Sequence, residues 1–228
     1  MKSIFYMAAM ALLCCSCFHV NKNYTFGKES IKGEGSVISK SFEFKDFDNI
    51  EINGGADVSF VQAPEYNVTV RTQESVFDWL DYSVEGTKLI LQTKDKKTIH
   101  AEVFEITVSA PELSGIVVNG ASDFDIDGLR IDGDLKVQVN GAGDLDFNQI
   151  VCESLSVEVN GAGDAKLTSI DIRNSLKVEV NGAGDVDITG RAQDVSLAVN
   201  GVGDIDATGL KVSGKVKQHK SGIASIQI

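Results

Sequence analysis

The sequence predicts an all-β chain folded as a parallel β-helix, a solenoid with coils of about 20 residues. Two observations carry this. A five-residue phrase returns: Asn119-Gly-Ala-Ser-Asp123, Asn140-Gly-Ala-Gly-Asp144, Asn160-Gly-Ala-Gly-Asp164, Asn181-Gly-Ala-Gly-Asp185 and Asn200-Gly-Val-Gly-Asp204, at steps of 21, 20, 21 and 19. Between the phrases, apolar residues alternate with polar ones, and no stretch of the repeats has helical spacing. A degenerate copy follows at Ser221–Ser225, and an early copy, Asn53-Gly-Gly-Ala-Asp57, stands 66 residues before Asn119, or three steps of 22.

One repeat shows the logic. Leu135, Val137 and Val139 alternate with Lys136 and Gln138, the two-residue period of a strand with one face buried. After the phrase, Leu145 and Phe147 alternate with Asp144, Asp146 and Asn148. Two or three such short strands make one coil, bonded to the coils above and below. The phrase is the corner between strands. Gly141 and Gly143 suit positive φ or a tight bend. Asn53, Asn119, Asn140, Asn160, Asn181 and Asn200 are expected to stack as an amide ladder with a structural role.

In chain order, residues 1–16 read as a lipoprotein signal peptide: Lys2, then the apolar run Ile4–Leu13, too short to span a membrane as a mature helix. The run leads into Cys14-Cys15-Ser16-Cys17, which resembles a bacterial lipobox. Cys17 is the expected lipidation site, with Cys15 as the alternative. Residues 17–35 are polar and glycine-bearing, an expected lipidated tether. Residues 36–228 are the expected β-helix domain, irregular over 36–110 and regular over 111–228. In the irregular part Tyr66–Thr72, Lys88–Thr93 and Val103–Ser109 read as strands, and Ser75–Leu80 as one helical turn carrying Trp79. This part is expected to cap the solenoid; the far end, at Ile228, is expected to be covered by a partner subunit or by the first half. A homo-oligomer is one form this would take.

Processing at Cys17 leaves Cys152 as the one free thiol, so no disulfide framework is expected. The net charge of −12 argues against nucleic acid and anionic membrane surfaces as partners.

The phrases Ile52-Asn-Gly-Gly-Ala-Asp57 and Val139-Asn-Gly-Ala-Gly-Asp144, after a lipobox, resemble the head GIN domain family of putative auto-transporter adhesins, over about residues 36–228. The resemblance implies a right-handed β-helix in a secreted or cell-envelope protein, and it supplies no catalytic residues. No membrane β-barrel follows the repeats, so the lipid would replace the barrel as anchor.

Three chemistries bear on these residues. Polysaccharide processing would need carboxylates flanking a cleft. Asp123, Asp125 and Asp127 offer three on one face, but repeats of even length leave no long loops to build a cleft, and Arg130, Arg173, Arg191, His19, His100 and His219 are scattered. The chain is therefore expected not to be an enzyme. Calcium would have its candidates in Asp144, Asp146, Asp185, Asp187, Asp204 and Asp206, although Lys166 breaks the column and each Asp could instead accept backbone N–H bonds from its own corner. Ligand binding by aromatics would centre on Trp79 and Tyr82. The expectation is thus a non-catalytic lipoprotein of the bacterial outer membrane, an adhesin-like binding module for glycan or envelope protein. The alternative is a structural or regulatory envelope component acting through protein contacts. The residues after Cys17 lack an acidic cluster, which favours the periplasmic over the surface face.

Overall fold

The computed structural model describes residues 30–228. The expected signal peptide, Cys15 and Cys17 lie outside the described residues. Cis peptide bonds are absent from the described chain. The irregular half contains β1 (Ser30–Lys32), β2 (Val37–Phe42), β3 (Asn49–Gly54), β4 (Asp57–Gln62), β5 (Asn67–Gln73), β6 (Leu80–Glu85), β7 (Lys88–Thr93), β8 (Thr98–His100) and β9 (Phe104–Ala110). The regular half contains β10 (Gly115–Gly120), β11 (Asp123–Arg130), β12 (Asp134–Gly141), β13 (Leu145–Ala162), β14 (Ala165–Ala183), β15 (Val186–Val212) and β16 (Val216–Gln227). Short 3-10 turns at Glu74–Trp79 and Lys94–Lys96 complete the described elements.

The regular half is a parallel β-helix. Asn119 pairs with Asn140, Asn140 with Asn160, Asn160 with Asn181, Asn181 with Asn200, and Asn200 with Ser221. The inward residues stack in the same register: Val139 lies on Val159, Val180 and Val199, and Leu145 lies on Ala165, with Ala165 on Val186. All of these are buried. The alternation seen in the sequence therefore points one residue in two at a single continuous core. A third inward stretch follows the two expected ones, at Ile150 and Cys152 in one coil and Ile170 and Ile172 in the next. The bend before it is set by Gln149 and Ser169, both at φ 57.

The corner glycines divide into two kinds. Gly141 has φ +152, and a Cβ there would also collide with the carbonyl oxygen of Gly120 in the neighbouring coil. Gly143 has no positive φ; it is required only because a Cβ would collide with the carbonyl oxygen of Ser122. Ser122 replaces the second glycine of the phrase and is fully buried. Its hydroxyl accepts the Ala56 N–H at 3.0 Å and reaches the Gly54 carbonyl at 3.3 Å. The divergent phrase Asn119–Asp123 is thus matched to the divergent phrase Asn53–Asp57 beneath it.

The 66-residue echo proves to be direct stacking rather than three coils. Ile50, Ile52 and Asn53 of β3 pair with Ile116, Val118 and Asn119 of β10. Asp57 and Val58 of β4 pair with Asp123 and Phe124 of β11. The intervening chain forms the next layer down: β7 runs parallel under β3, and β9 runs parallel under β4. Antiparallel strands then end the stack. β6 pairs with β7 through a two-residue turn at Gly86-Thr87, with Gly86 at φ +63, and β5 and β2 extend from β9. The irregular half does cap the solenoid, by switching from parallel to antiparallel pairing. Of the stretch 17–35 expected as a tether, residues 17–29 lie outside the described residues and the rest begins with a strand. Ser30–Lys32 pairs with Thr98–His100, and the Gly33 N–H donates to the His100 carbonyl at 2.8 Å.

Candidate functional site: corner ladders and the hollow beneath them

The corner carries two hydrogen-bonded columns. In the first, each asparagine Nδ2 donates to the Oδ1 of the asparagine one coil earlier. The distances are 2.9 Å from Asn119 to Asn53, 2.9 Å from Asn140 to Asn119, 3.1 Å from Asn160 to Asn140, 3.0 Å from Asn181 to Asn160 and 2.9 Å from Asn200 to Asn181. These amides are occupied in holding the stack. The ladder ends at Asn53, whose Nδ2 turns to Glu51 Oε1 at 3.1 Å. Glu51 in turn accepts from Lys88 Nζ at 2.7 Å, and the hydrogen bonds from Lys88 and Asn53 hold its carboxyl below the usual range.

The second column is aspartate. Oδ1 of Asp123, Asp144, Asp164 and Asp185 accepts the backbone N–H of the aspartate in the next coil, at 3.0, 2.9, 2.8 and 2.9 Å, and Asp204 accepts from Ser225 at 3.0 Å. The donor comes from the coil that follows, not from the residue's own corner as the sequence suggested. Each bond answers part of the repulsion between stacked carboxylates.

The outer aspartates form a looser row in which Asp125 faces Asp146, Asp146 faces Lys166, and Lys166 faces Asp187. Partial burial, then the charges of Asp146, Asp123 and Asp57, push the Asp125 carboxyl above its usual range. Asp206 accepts from the Thr208 backbone at 2.9 Å and its hydroxyl at 2.7 Å, and both bonds lower its pKa. Of the six calcium candidates, Asp144, Asp185, Asp204 and Asp206 each commit an oxygen to a protein donor, while Asp146 and Asp187 flank Lys166. Among the described residues, no three acidic, histidine or cysteine side chains converge on a point that could hold a metal ion.

Trp79 and Tyr82 sit at the capped end, beside a hollow. Its volume is about 490 Å³, within the range of small-molecule sites. The hollow exists because one corner is missing. In the regular coils a short corner joins the first face to the second. Between β7 and β9 the chain instead takes the ten residues 94–103, bowing outward beneath the Asn53 phrase. The apolar wall comes from Ile52, Leu91, Ile99, Phe104 and Ile106, with the ring of Tyr82. Lys96 and Lys97 stand on the excursion, and no acidic side chain lines the space. Lys97 Nζ also lies 4.4 Å from the centre of the Trp79 ring.

Tyr82 packs edge-on against Phe42, 5.9 Å between centroids. Its hydroxyl is buried and has no hydrogen-bond partner among the described residues, and burial pushes its pKa up. The sequence singles out the Trp79 and Tyr82 region but leaves residues 94–102 unassigned, between the strands expected at Lys88–Thr93 and Val103–Ser109. The one visible signal there was Lys94-Asp-Lys-Lys97, a basic run in an acidic chain.

The family described as "Putative auto-transporter adhesin, head GIN domain" matches residues 46–228. No curated protein matches the chain. Among solved structures, a putative adhesin from Bacteroides fragilis is similar at TM-score 0.67 and 23% identity, with 86% of this chain and 98% of that one covered. A putative adhesin from Parabacteroides distasonis gives TM-score 0.72 and 22% identity, covering 87% and 84%. A putative lipid binding protein from the same organism gives TM-score 0.75 and 17% identity, covering 88% and 100%. At these identities the likeness is one of fold.

Proposed function

The chain belongs to the head GIN domain family of putative auto-transporter adhesins, and from that membership we propose that it works as an adhesin-like binding module of the bacterial envelope, contacting a glycan or a protein without chemical turnover. The observation that carries the reading is the unbroken register of the outward positions. Gln138, Glu158, Glu179, Ala198 and His219 stand one above another, as do Lys136, Ser156, Lys177, Ser196 and Lys217. Neighbouring rungs are about 4.8 Å apart, so the face offers a flat polar grid to an extended partner. The carboxylate rows lie along one such face rather than opposing each other across a cleft, which supports binding over glycoside hydrolysis.

In this reading Cys17 carries the lipid that holds the module to the outer membrane. The contact-making alternative, a structural or regulatory component, draws support from β16. Among the described residues that strand pairs with β15 alone, and Val216 and Ile223 on it are exposed. A second copy of the chain is one partner that would fit.

The test combines location and capture. Tagged protein on intact cells is exposed to protease, and the chain from residue 18 is applied to arrays of glycans and of envelope and host-surface proteins. Digestion on intact cells with saturable capture supports the adhesin reading. Protection until lysis, with capture of envelope proteins only, overturns it in favour of the structural role. A Cys17→Ser chain is expected to leave the membrane fraction.

A further inference from the structure

We propose that the solenoid binds a second copy of itself head to tail, with the β16 edge of one molecule against the β6 edge of the next. The contact rests on the alternative above in which the chain acts through protein contacts, and not on the adhesin reading. It is read from assembly of the pure protein, whereas the adhesin reading is read from location and capture. Three observations carry it.

The first is the position of the two edges. Among the described residues β16 pairs with β15 alone and β6 with β7 alone. Both edges belong to one face of the helix. A single column of facing residues starts with Glu85 beside Lys88 and ends with Ser196 beside Lys217, unbroken through β3, β10, β12, β13 and β14. An edge strand holds out a row of unpaired N–H and C=O groups. A copy continued along the same axis would present β6 antiparallel to β16, a pairing that a sheet accepts.

The second is charge. Glu85 and Lys217, the two ends of that column, have opposite sign, and both are exposed. Neither has an ion-pair partner among the described residues. Lys88, the cross-strand neighbour of Glu85, is engaged with Glu51 at 2.7 Å. The surroundings share the signs. β6 carries Asp81 and Glu85 and no cation. After Asp206 the chain has Lys211, Lys215, Lys217 and Lys220 and no acidic residue, against a net charge of −12 for the whole.

Charge thus selects among the ways two edges could meet. Two β16 edges would set lysine against lysine, which is how an edge lysine guards a strand. Two β6 edges would set carboxylate against carboxylate. The head-to-tail contact alone sets opposite charges together.

The third is how the core closes at β16. The inward residues Val195, Leu197 and Val199 are followed in their columns by Val216, Gln218 and Lys220. Two of these three are polar, so the last rung does not call for another apolar coil. It leaves backbone and charge to be answered instead, which suits a reversible contact rather than an obligate, core-like one. Because the two surfaces differ, the contact does not close at a pair of copies.

The experiment uses the chain from residue 18, which keeps every described strand. Sedimentation velocity follows it from about 10 to 500 µM, the range of weak contacts. Salt is held at about 0.15 M, where exposed charges more than about 8 Å apart are largely screened. The parent is expected to grow with concentration past the dimer. Lys217→Glu makes both ends acidic, and Glu85→Lys makes both ends basic. Each variant alone is expected to associate about fivefold more weakly or worse. Mixed one to one, the variants regain opposite charges at every junction, and assembly is expected to return; a misfolded variant could not restore it. A parent that stays monomeric overturns the proposal. So does assembly that stops at the dimer, a variant that associates as the parent does, or a mixture no stronger than its components.

Discussion

Replacing Gly141 by alanine tests the corner most directly, because two separable costs meet there. The backbone sits at φ +152, a conformation that side chains rarely adopt, and the new Cβ would collide with the Gly120 carbonyl oxygen of the neighbouring coil. That oxygen accepts the Ala142 N–H at 2.8 Å, and the adjacent Asn140–Asn119 rung measures 2.9 Å. Backbone strain of this kind costs about 1–3 kcal/mol. Disturbing two inter-coil hydrogen bonds adds about 1–3 kcal/mol in total. The expected loss is about 2–6 kcal/mol, a large part of the stability of an ordinary domain.

Three further glycines separate the terms. Gly128 has φ +92 and open space around its Cβ position, so Gly128→Ala should show the strain alone. Gly143→Ala should show the collision alone. Gly133 has neither, and Gly133→Ala should lie within about 0.5 kcal/mol of the parent. Urea denaturation followed by circular dichroism gives the four midpoints, compared at matched slopes. The order Gly133, then Gly128 and Gly143, then Gly141 is expected. A Gly141→Ala protein as stable as Gly133→Ala would refute the account of the corner as a close-packed seam.

The asparagine ladder predicts that Asn160→Ala, which removes rungs of 3.1 and 3.0 Å to Asn140 and Asn181, costs about 2–4 kcal/mol by the same denaturation assay. Asp125 predicts a pH effect: its carboxyl pKa is raised in the fold, so it favours folding when protonated and loses that contribution as pH rises through the folded value. Asp125→Asn should therefore raise the melting temperature at pH 7, with the gain shrinking in acid. Glu51 acts oppositely: its lowered pKa means the Lys88 contact stabilises at neutral pH and is lost as pH falls through the folded value, so Glu51→Gln should lose stability at pH 7 and little in acid. Cys152 is fully buried and its thiol is pushed up to about 12, by burial and then by the charge of Asp134. Labelling of Cys152 by a thiol reagent should be negligible in the native protein and should appear at the urea midpoint.

Much of the molecule was legible because its rules are local. The alternation of Leu155, Val157 and Val159 states which side of a strand is buried, and Asn-Gly-Ala-Gly states where the chain turns. Both follow from backbone geometry within a few residues, and repetition multiplies the signal. The asparagine ladder was equally visible, since identical residues at a fixed step must stack if the coils do. The aspartate column was harder: the period placed the carboxylates together but could not say that Asp144 would accept a backbone N–H from Asp164.

The all-β class, the coil length, the inward and outward sides and the corner follow from residue order. The order of stacking at the capped end does not. A period assumes that chain order and stacking order agree, and there they do not: β7 and β9 follow β3 and β4 in the chain but lie beneath them in the stack. The hollow has the same origin. Residues 94–103 carry no repeat to betray them, and the space they enclose belongs to no single segment. It is bounded by Ile52, Leu91, Phe104 and Tyr82, brought together from four strands because apolar surface is buried by whatever layer fits it, whatever its place in the chain.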